Sequence, residues 1–348
     1  MLTHVVEVIS SNGEKYGLKE GSVPDIEVVV GAVQMLAERD RLELAPFVDE
    51  WEPLLVESGG PQLGYAADGT PIDLSPTGVL KDLLNAVTGL LRKLLAVSNG
   101  ESLDYLAPLV ELGSDDLVSI ATLNYDRTIE ISSDRFGIPC SEGLDTWNEE
   151  SELTWAEAGV KLMKLHGSIT WGRDYKLATG LNMGQEQVTR SPESPTIEEL
   201  PPFVVFGTAQ KLRPEGPFLD LRAEFINDLR DCAHLVVIGY GFGDEHVNVI
   251  IRRWLNADKR RVLTIVDPYF PDTWITAAPF EFEMITGLQY QATALIQDIR
   301  ESRLSVIREP GKYAIPRVCK GSAALDEELA AWLASRPRGE GLPENARH

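Results

Sequence analysis

The chain has 348 residues, 43% of them hydrophobic and 25% charged, which is ordinary for a globular protein of one large domain or two smaller ones. Its formal net charge of -22 gives a surface that repels phosphate backbones, so we expect no direct contact with nucleic acid. Three widely spaced cysteines form no disulfide framework. No apolar run approaches the roughly 20 residues that span a bilayer, and residues 1–21 lack a signal-peptide pattern, so we expect a cytoplasmic protein without membrane contact.

The first third of the chain is predicted to be mostly helical, because its apolar residues recur at helical spacing. We expect, in chain order, a strand at residues 4–9, a helix at 26–39 capped by Asp25, a loop at 52–77, and helices at 78–97 and 102–112. The helix at 78–97 is strongly amphipathic and rich in leucine. Residues 27–112 are therefore predicted to form a helical insertion.

The rest of the chain alternates apolar strands with amphipathic helices. Strands are predicted at residues 117–123, 160–165, 203–206, 235–238 and 262–266, and helices after residue 127 and at 220–232 and 245–255. This alternation is typical of a doubly wound α/β fold with a mostly parallel sheet. Residues 172–200 are polar without a period and predict a loop-rich small subdomain. Residues 286–348 predict a helical C-terminal appendage, with helices at 289–307 and 323–334 before a disordered tail.

Two short polar sequences follow predicted strands that we expect to be buried. Asn124-Tyr125-Asp126 follows the strand at 117–123, and His166-Gly167-Ser168 follows the strand at 160–165. Ligands of open parallel sheets bind at the carboxyl ends of the strands, so Asn124, Asp126 and His166 are expected at one rim. An imidazole there can accept a proton from a hydroxyl or from water. The alternatives are that His166 is a core histidine and that Asp126 is a helix N-cap.

A glycine-rich loop, Gly239-Tyr240-Gly241-Phe242-Gly243, lies between a predicted strand and a predicted helix. Glycines let a backbone approach a ligand closely, and the following helix would direct its positive end at a phosphate. The spacing Gly-x-Gly-x-Gly differs from the dinucleotide fingerprint. Asp267 ends the next strand, where dinucleotide folds place an acid that accepts from ribose hydroxyls. The alternative is a tight turn and a strand-ending aspartate.

The Asn-Tyr-Asp and Lys-Leu-His-Gly-Ser sequences together resemble the catalytic core of the sirtuin family. The two motifs resemble even more closely those of a bacterial branch whose members cleave NAD in antiphage defence. The resemblance implies a Rossmann-like domain at residues 1–285 with NAD as its substrate. It implies His166 as the general base, Asn124 orienting water or ribose, and Asp126 holding the nicotinamide amide.

The resemblance also assigns the nucleotide contacts. It implies that the loop from Gly239 to Gly243 and Asp267 contact the nucleotide, and that the strand ending at Gly207-Thr208 faces the substrate channel. Trp171 either walls that channel or packs in the core. Of the remaining histidines, His234 is predicted to be structural. His246 lies beside two carboxylates, but no second histidine stands at ligand spacing, so we expect no metal.

The sequence departs from the family at two points. The cysteine pairs that hold zinc in sirtuin deacylases are absent, which argues against deacylation. The phosphate-binding sequence Gly-Ala-Gly-x-Ser does not occur in residues 1–40, so either it lies upstream of this start or it has been lost. The chain alone is therefore expected to be weakly active or inert. A non-catalytic module that binds NAD or ADP-ribose remains the alternative.

The branch that cleaves NAD also implies control of the activity, because an enzyme that destroys NAD must stay silent until triggered. The leucine-rich helix at 78–97 offers more apolar surface than one layer of packing buries. We therefore expect a homo-oligomer or a complex with a partner protein of a defence system. The alternative is that this helix is buried entirely in the core of the monomer.

Overall fold

The protein is seen here as a computed structural model. It describes residues 26–37, 63–65, 71–73, 76–97, 100–145, 147, 151–176, 185–190, 204, 216–258, 260–270 and 304–319. The strand expected at 4–9, most of the strand expected at 203–206, and the helix expected at 323–334 lie outside these residues. Over the described residues the fold is mixed α/β, with small parallel sheets and helices packed on them.

The elements follow the predicted alternation closely. The helices are α1 (Ile26–Ala37), α2 (Pro76–Leu94), α3 (Ala107–Val110), α4 (Thr128–Phe136), α5 (Phe218–Asp231), α6 (Glu245–Ala257) and α7 (Gly311–Val318), with 3-10 turns at Gly100–Leu106 and Glu111–Gly113. The strands are β1 (Leu63–Tyr65), β2 (Pro71–Asp73), β3 (Leu117–Thr122), β4 (Cys140–Ser141), β5 (Gly159–Lys164), β6 (Trp171–Lys176), β7 (Gln185–Arg190), β8 (His234–Ile238), β9 (Val262–Val266) and β10 (Leu304–Ile307).

Among the described residues the parallel strands form two sheets of three strands each, where the sequence predicted one sheet. The first sheet has the order β3-β5-β4 and the second β10-β9-β8, and every pairing within them is parallel. Among the described strands no hydrogen-bonded pairing joins β5 to β8. The two sheets nevertheless share one hydrophobic core, in which Met163 of β5 packs in the same cluster as Phe225 of α5 and Ile265 of β9.

β5 is the central strand of the first sheet and is buried along its whole length. Its two faces are covered by different helices. Val160 and Leu162 pack with Val110 of α3 on one face. On the other face, Lys161 forms ion pairs with Glu224 and Asp228 of α5, at 2.5 and 2.7 Å. Helices therefore lie on both faces of β5.

β3 is less buried than predicted. Among the described strands it lies at the edge of its sheet, and along it exposed residues alternate with half-buried ones. Leu117, at its start, is 39% exposed. The apolar run at 117–123 thus belongs to a half-buried strand. Its composition did not reveal this, because half-buried and fully buried strands favour the same residue types.

Four further predictions are corrected by the structure. The expected loop at 52–77 contains the antiparallel hairpin β1-β2, and the expected loop-rich segment 172–200 contains the antiparallel hairpin β6-β7. The helix expected at 102–112 is divided into 3-10 and α segments. The helix expected at 289–307 ends instead as strand β10.

The strand β10 forms because it completes an edge of the second sheet. It pairs in parallel with β9, with Ile307 opposite Val266, and Val306 and Ile307 become buried. Such pairing is non-local and overrides the local helical pattern. α7, which the sequence did not predict, follows directly.

The amphipathic helix α2 packs against α1, where Leu80 and Val33 meet in a small buried cluster. Its carboxyl-terminal half is more open, and Leu90 and Leu94 are 53% and 69% exposed. The expectation of surplus apolar surface on this helix is therefore consistent with the described residues. None of the described helices combines the length and the apolar character needed to cross a bilayer.

Candidate active site

The structure brings the two polar turns together at the carboxyl ends of β3 and β5. The backbone amide of Leu165 donates to the carbonyl of Thr122 at 3.0 Å, continuing the ladder past both strands. The amide of Ile169 then donates to the carbonyl of Tyr125, also at 3.0 Å. We call residues 124–126 the first turn and residues 166–168 the second turn. Asn124 and His166 thus stand on neighbouring strands of one sheet.

His166 is held by a carboxylate that the sequence analysis did not assign to it. Its Nε2 lies 2.8 Å from Oδ2 of Asp244, and the two side chains are only 8% and 4% exposed. The Tyr125 ring lies on another side, with a centroid separation of 6.5 Å. Nε2 donates its hydrogen in a hydrogen bond to this carboxylate. Nδ1 is therefore the nitrogen that can accept a proton from another molecule.

Asp244 reaches His166 because it is the N-cap of α6. Its Oδ1 accepts from the backbone amides of His246 and Val247, at 3.1 and 3.5 Å. A cap of this kind stabilises a helix by about 1 kcal/mol. Two amides of the helix end that we expected to face a phosphate are therefore already bonded to a carboxylate.

The loop from Gly239 to Gly243 is fixed by its own side chains. Phe242 has a φ of 54°, in the left-handed region, and is completely buried against Tyr240 and Phe270. Asn248 donates to the carbonyl of Phe242 at 2.8 Å and accepts from the Tyr240 hydroxyl at 3.0 Å. Burial, followed by the charge of Asp244, raises the pKa of Tyr240, so this hydroxyl stays protonated. These contacts hold the loop in one conformation.

The outer side of this loop is open. Gly239, Gly241 and Gly243 are exposed, and a Cβ added at Gly239 or Gly241 would meet no atom within 4 Å. Gly239 requires glycine for its φ of 65°, whereas Gly241 has no positive φ. The described residues thus give no steric reason for glycine at 241. The open space beside Gly241 would let a ligand lie close to the backbone, and the geometry permits this explanation for the glycine.

Asp267 lies beside the loop at the end of β9. The amide of Gly239 donates to the carbonyl of Val266 at 2.9 Å, which brings the two strand ends together. Oδ1 of Asp267 accepts from the amide of Tyr269 at 2.8 Å, and its own amide donates to the carbonyl of Ile307 at 3.1 Å. Asp267 is therefore half-buried and held in place at the rim of the second sheet.

In the first turn, Asn124 is exposed and its backbone amide donates to Thr122 Oγ1 at 3.1 Å. Asp126 has a structural task. Its Oδ1 accepts from the backbone amide and the hydroxyl of Thr128, at 2.9 and 2.7 Å, at the start of α4. Its carboxylate therefore caps the first amide of α4, although Arg127 and not Asp126 occupies the N-cap position.

Glu130, in α4, lies below the first turn. Burial raises its pKa to about 7, Lys164 opposes this rise and Glu142 adds to it. A carboxyl group with such a pKa exchanges its proton near neutral pH.

The remaining predicted residues are placed as follows. Gly207 and Thr208 lie outside the described residues; from their strand only Val204 is described, and it forms an antiparallel bridge with Gly167. Trp171 is fully buried against Phe218, which makes it a core residue and not a channel wall. His234 bonds Thr264 at 2.8 Å, in keeping with the structural role expected for it.

Sequence reasoning missed Asp244 and Asn248 as members of this site, and it did not interpret the buried lysine at 164. The signals were present: an aspartate before an amphipathic helix indicates an N-cap, and a lysine in an apolar strand indicates a buried ion pair. Among the described residues no cluster of three or more histidine, cysteine or acidic side chains is arranged to hold a metal. Comparison of the sequence with protein-family models and with curated proteins gives no match.

Proposed function

We propose that the protein is a sirtuin-like NAD glycohydrolase with a Rossmann-like domain, which cleaves NAD to nicotinamide and ADP-ribose. The observation that carries this proposal is the pair formed by His166 and Asp244, 2.8 Å apart. The pair lies where the second turn meets the open glycine loop. A histidine with an oriented imidazole, an exposed amide at Asn124 and a preorganised loop match the parts that such a reaction needs.

The chemistry follows from these positions. As the bond between ribose C1′ and the nicotinamide nitrogen breaks, its electron pair leaves with nicotinamide and positive charge develops on the sugar, as in glycoside hydrolysis. Water held by Asn124 adds to C1′. Nδ1 of His166 accepts the proton that this water releases, and Asp244 stabilises the resulting imidazolium. Asp126, by resemblance, holds the nicotinamide amide while it caps α4.

The nucleotide would lie across the second sheet. The exposed backbone of the loop from Gly239 to Gly243 can approach the pyrophosphate, and Asp267 can accept from the adenosine ribose. Asp244 at the start of α6 opposes an anion there, so the loop amides must provide most of the contacts. So few contacts to the pyrophosphate support slow turnover and a high KM for the chain by itself.

A second candidate function is a non-catalytic module that binds NAD or ADP-ribose. The specific observation that favours it is the occupation of catalytic groups by structural bonds: Asp126 caps α4 and Asp244 caps α6. Protein deacylation ranks behind both, because the paired cysteines of the zinc-binding deacylases are missing. A role in antiphage defence and an oligomer or partner protein that controls the activity belong to the first proposal.

The two candidates are separated by following NAD and both products together. Purified protein at high concentration is incubated with NAD, and binding is measured by calorimetry in parallel. The glycohydrolase proposal predicts nicotinamide and ADP-ribose in equal amounts. Binding of NAD or ADP-ribose with no nicotinamide formed over a prolonged incubation would favour the binding module instead.

A further inference from the structure

Lys164 is the last residue of β5, and its side chain is only 1% exposed. A buried ammonium group is costly unless it is paired and hydrogen-bonded. Here Nζ donates to the backbone carbonyl of Asp126, lies 2.9 Å from Glu130 Oε1 and lies 3.4 Å from Ser168 Oγ. Three partners on three segments thus surround this single cation.

These partners belong to the parts that must be aligned for the reaction. Asp126 ends the first turn, and Ser168 ends the second turn, which begins with His166. Glu130 lies in α4, which starts directly after the first turn. Lys164 therefore contacts both turns and the helix that supports one of them, while it sits beneath the rim.

We propose that Lys164 is a positioning residue that sets the spacing between Asn124 and His166. The inference rests on the proposed function for its effect on the reaction, but the alignment of the turns can be measured independently. Lys164 does not touch the reacting atoms; it acts through the carbonyl of Asp126 and the hydroxyl of Ser168. NAD contacts in the second sheet do not involve it, so its loss should lower kcat and leave KM nearly unchanged.

The same strand provides a matched control. Lys161 is also buried in β5, but it faces α5, where it pairs with Glu224 and Asp228. Among the described residues, its ion pairs are with α5 and involve neither turn. Removing Lys161 therefore tests the cost of losing a buried lysine from this strand without loosening the candidate active site.

The test uses the full chain carrying Lys164→Met together with Glu130→Gln, so that neither charge is left buried alone. Lys161→Met is the control, and Lys164→Gln is the second variant if the double variant does not fold. We expect amide hydrogen exchange in both turns to become about tenfold faster or more, and kcat for nicotinamide release to fall about 10- to 100-fold with KM within about threefold. Lys161→Met should leave the exchange rates of both turns and the kcat near those of the wild type.

The outcomes distinguish this inference from the proposed function. Unchanged exchange in the turns, or faster exchange with an unchanged kcat, would overturn the positioning role. An equal loss of kcat in Lys161→Met would overturn it too, because the effect would then be general. If the wild type releases no nicotinamide even at high protein concentration, the glycohydrolase proposal fails for this chain alone, and local exchange in the turns then decides whether Lys164 aligns them.

Discussion

Asp244 places Oδ2 at 2.8 Å from Nε2 of His166 and Oδ1 at 3.1 Å from the backbone amide of His246. One carboxylate therefore orients an imidazole at the end of β5 and caps a helix that follows β8. The contact links the rims of two sheets between which the described strands form no pairing. It makes the second turn and the glycine loop parts of one polar unit.

The Asp244→Asn substitution should separate the two tasks of this residue. Asparagine is as good an N-cap as aspartate, so the free energy of unfolding should change by less than about 1 kcal/mol. The substitution removes the negative charge that Asp244 places beside His166. The kcat for nicotinamide release should therefore fall about 10²-fold, the magnitude typical of general-base catalysis. Urea unfolding and steady-state kinetics measure the two effects. Full activity in this variant would show that the carboxylate has no part in the reaction.

Glu130 should make stability depend on pH in an unusual direction. Burial raises its pKa to about 7 from an ordinary value of 4.5, so folding takes up a proton between these two values. The free energy of unfolding should therefore fall as the pH rises through this window, by about 3 kcal/mol at most from this residue. The Glu130→Gln variant cannot titrate there. Urea unfolding from pH 4 to pH 8 should show a shallower fall for it than for the wild type; parallel curves would contradict the assignment.

Substitutions of Asp126 should reveal its capping role. Asp126→Ala removes the acceptor for the amide and hydroxyl of Thr128 and should cost about 1 kcal/mol of stability. Asp126→Asn keeps a cap and should retain nearly all of it. Thermal or urea unfolding provides the comparison. Equal stability losses in both variants would mean that the charge and not the capping bond is what stabilises α4.

Two glycines of the loop make a matched pair. Gly239→Ala places a side chain at a φ of 65° and should cost about 1–2 kcal/mol of stability. Gly241→Ala meets no steric hindrance within the protein, so it should fold normally. It should nevertheless weaken NAD binding about tenfold by keeping the pyrophosphate away from the backbone. Calorimetry with NAD checks this, and unchanged affinity would remove the loop from the proposed binding site.

Much of the fold could be predicted because burial leaves a strong local pattern. β5 and β9 are apolar runs enclosed by other elements, and α5 and α6 carry clear amphipathic periods. β10 could not be predicted, because its pairing with β9 depends on residues far away in the sequence. For the same reason the edge position of β3 was invisible in its composition.

The candidate site was predicted in part. His166 and Asn124 were identified by resemblance, and their proximity followed from the rule for parallel strands. The contact between His166 and Asp244 joins segments that are distant in the sequence, so no spacing rule could reveal it. From the sequence, Asp244 was considered only as one of the two carboxylates beside His246. Its second oxygen acquires a role only once the two sheets pack together.

The most direct test of the account is the rate of nicotinamide release by the wild type, by His166→Ala and by His234→Ala at saturating NAD. His234 is a matched control, because it opens β8 and bonds Thr264 away from the two turns. The account predicts a rate about 10²–10⁴-fold lower for His166→Ala and a nearly unchanged rate for His234→Ala. Nicotinamide release that persists at the wild-type rate in a folded His166→Ala variant would contradict it.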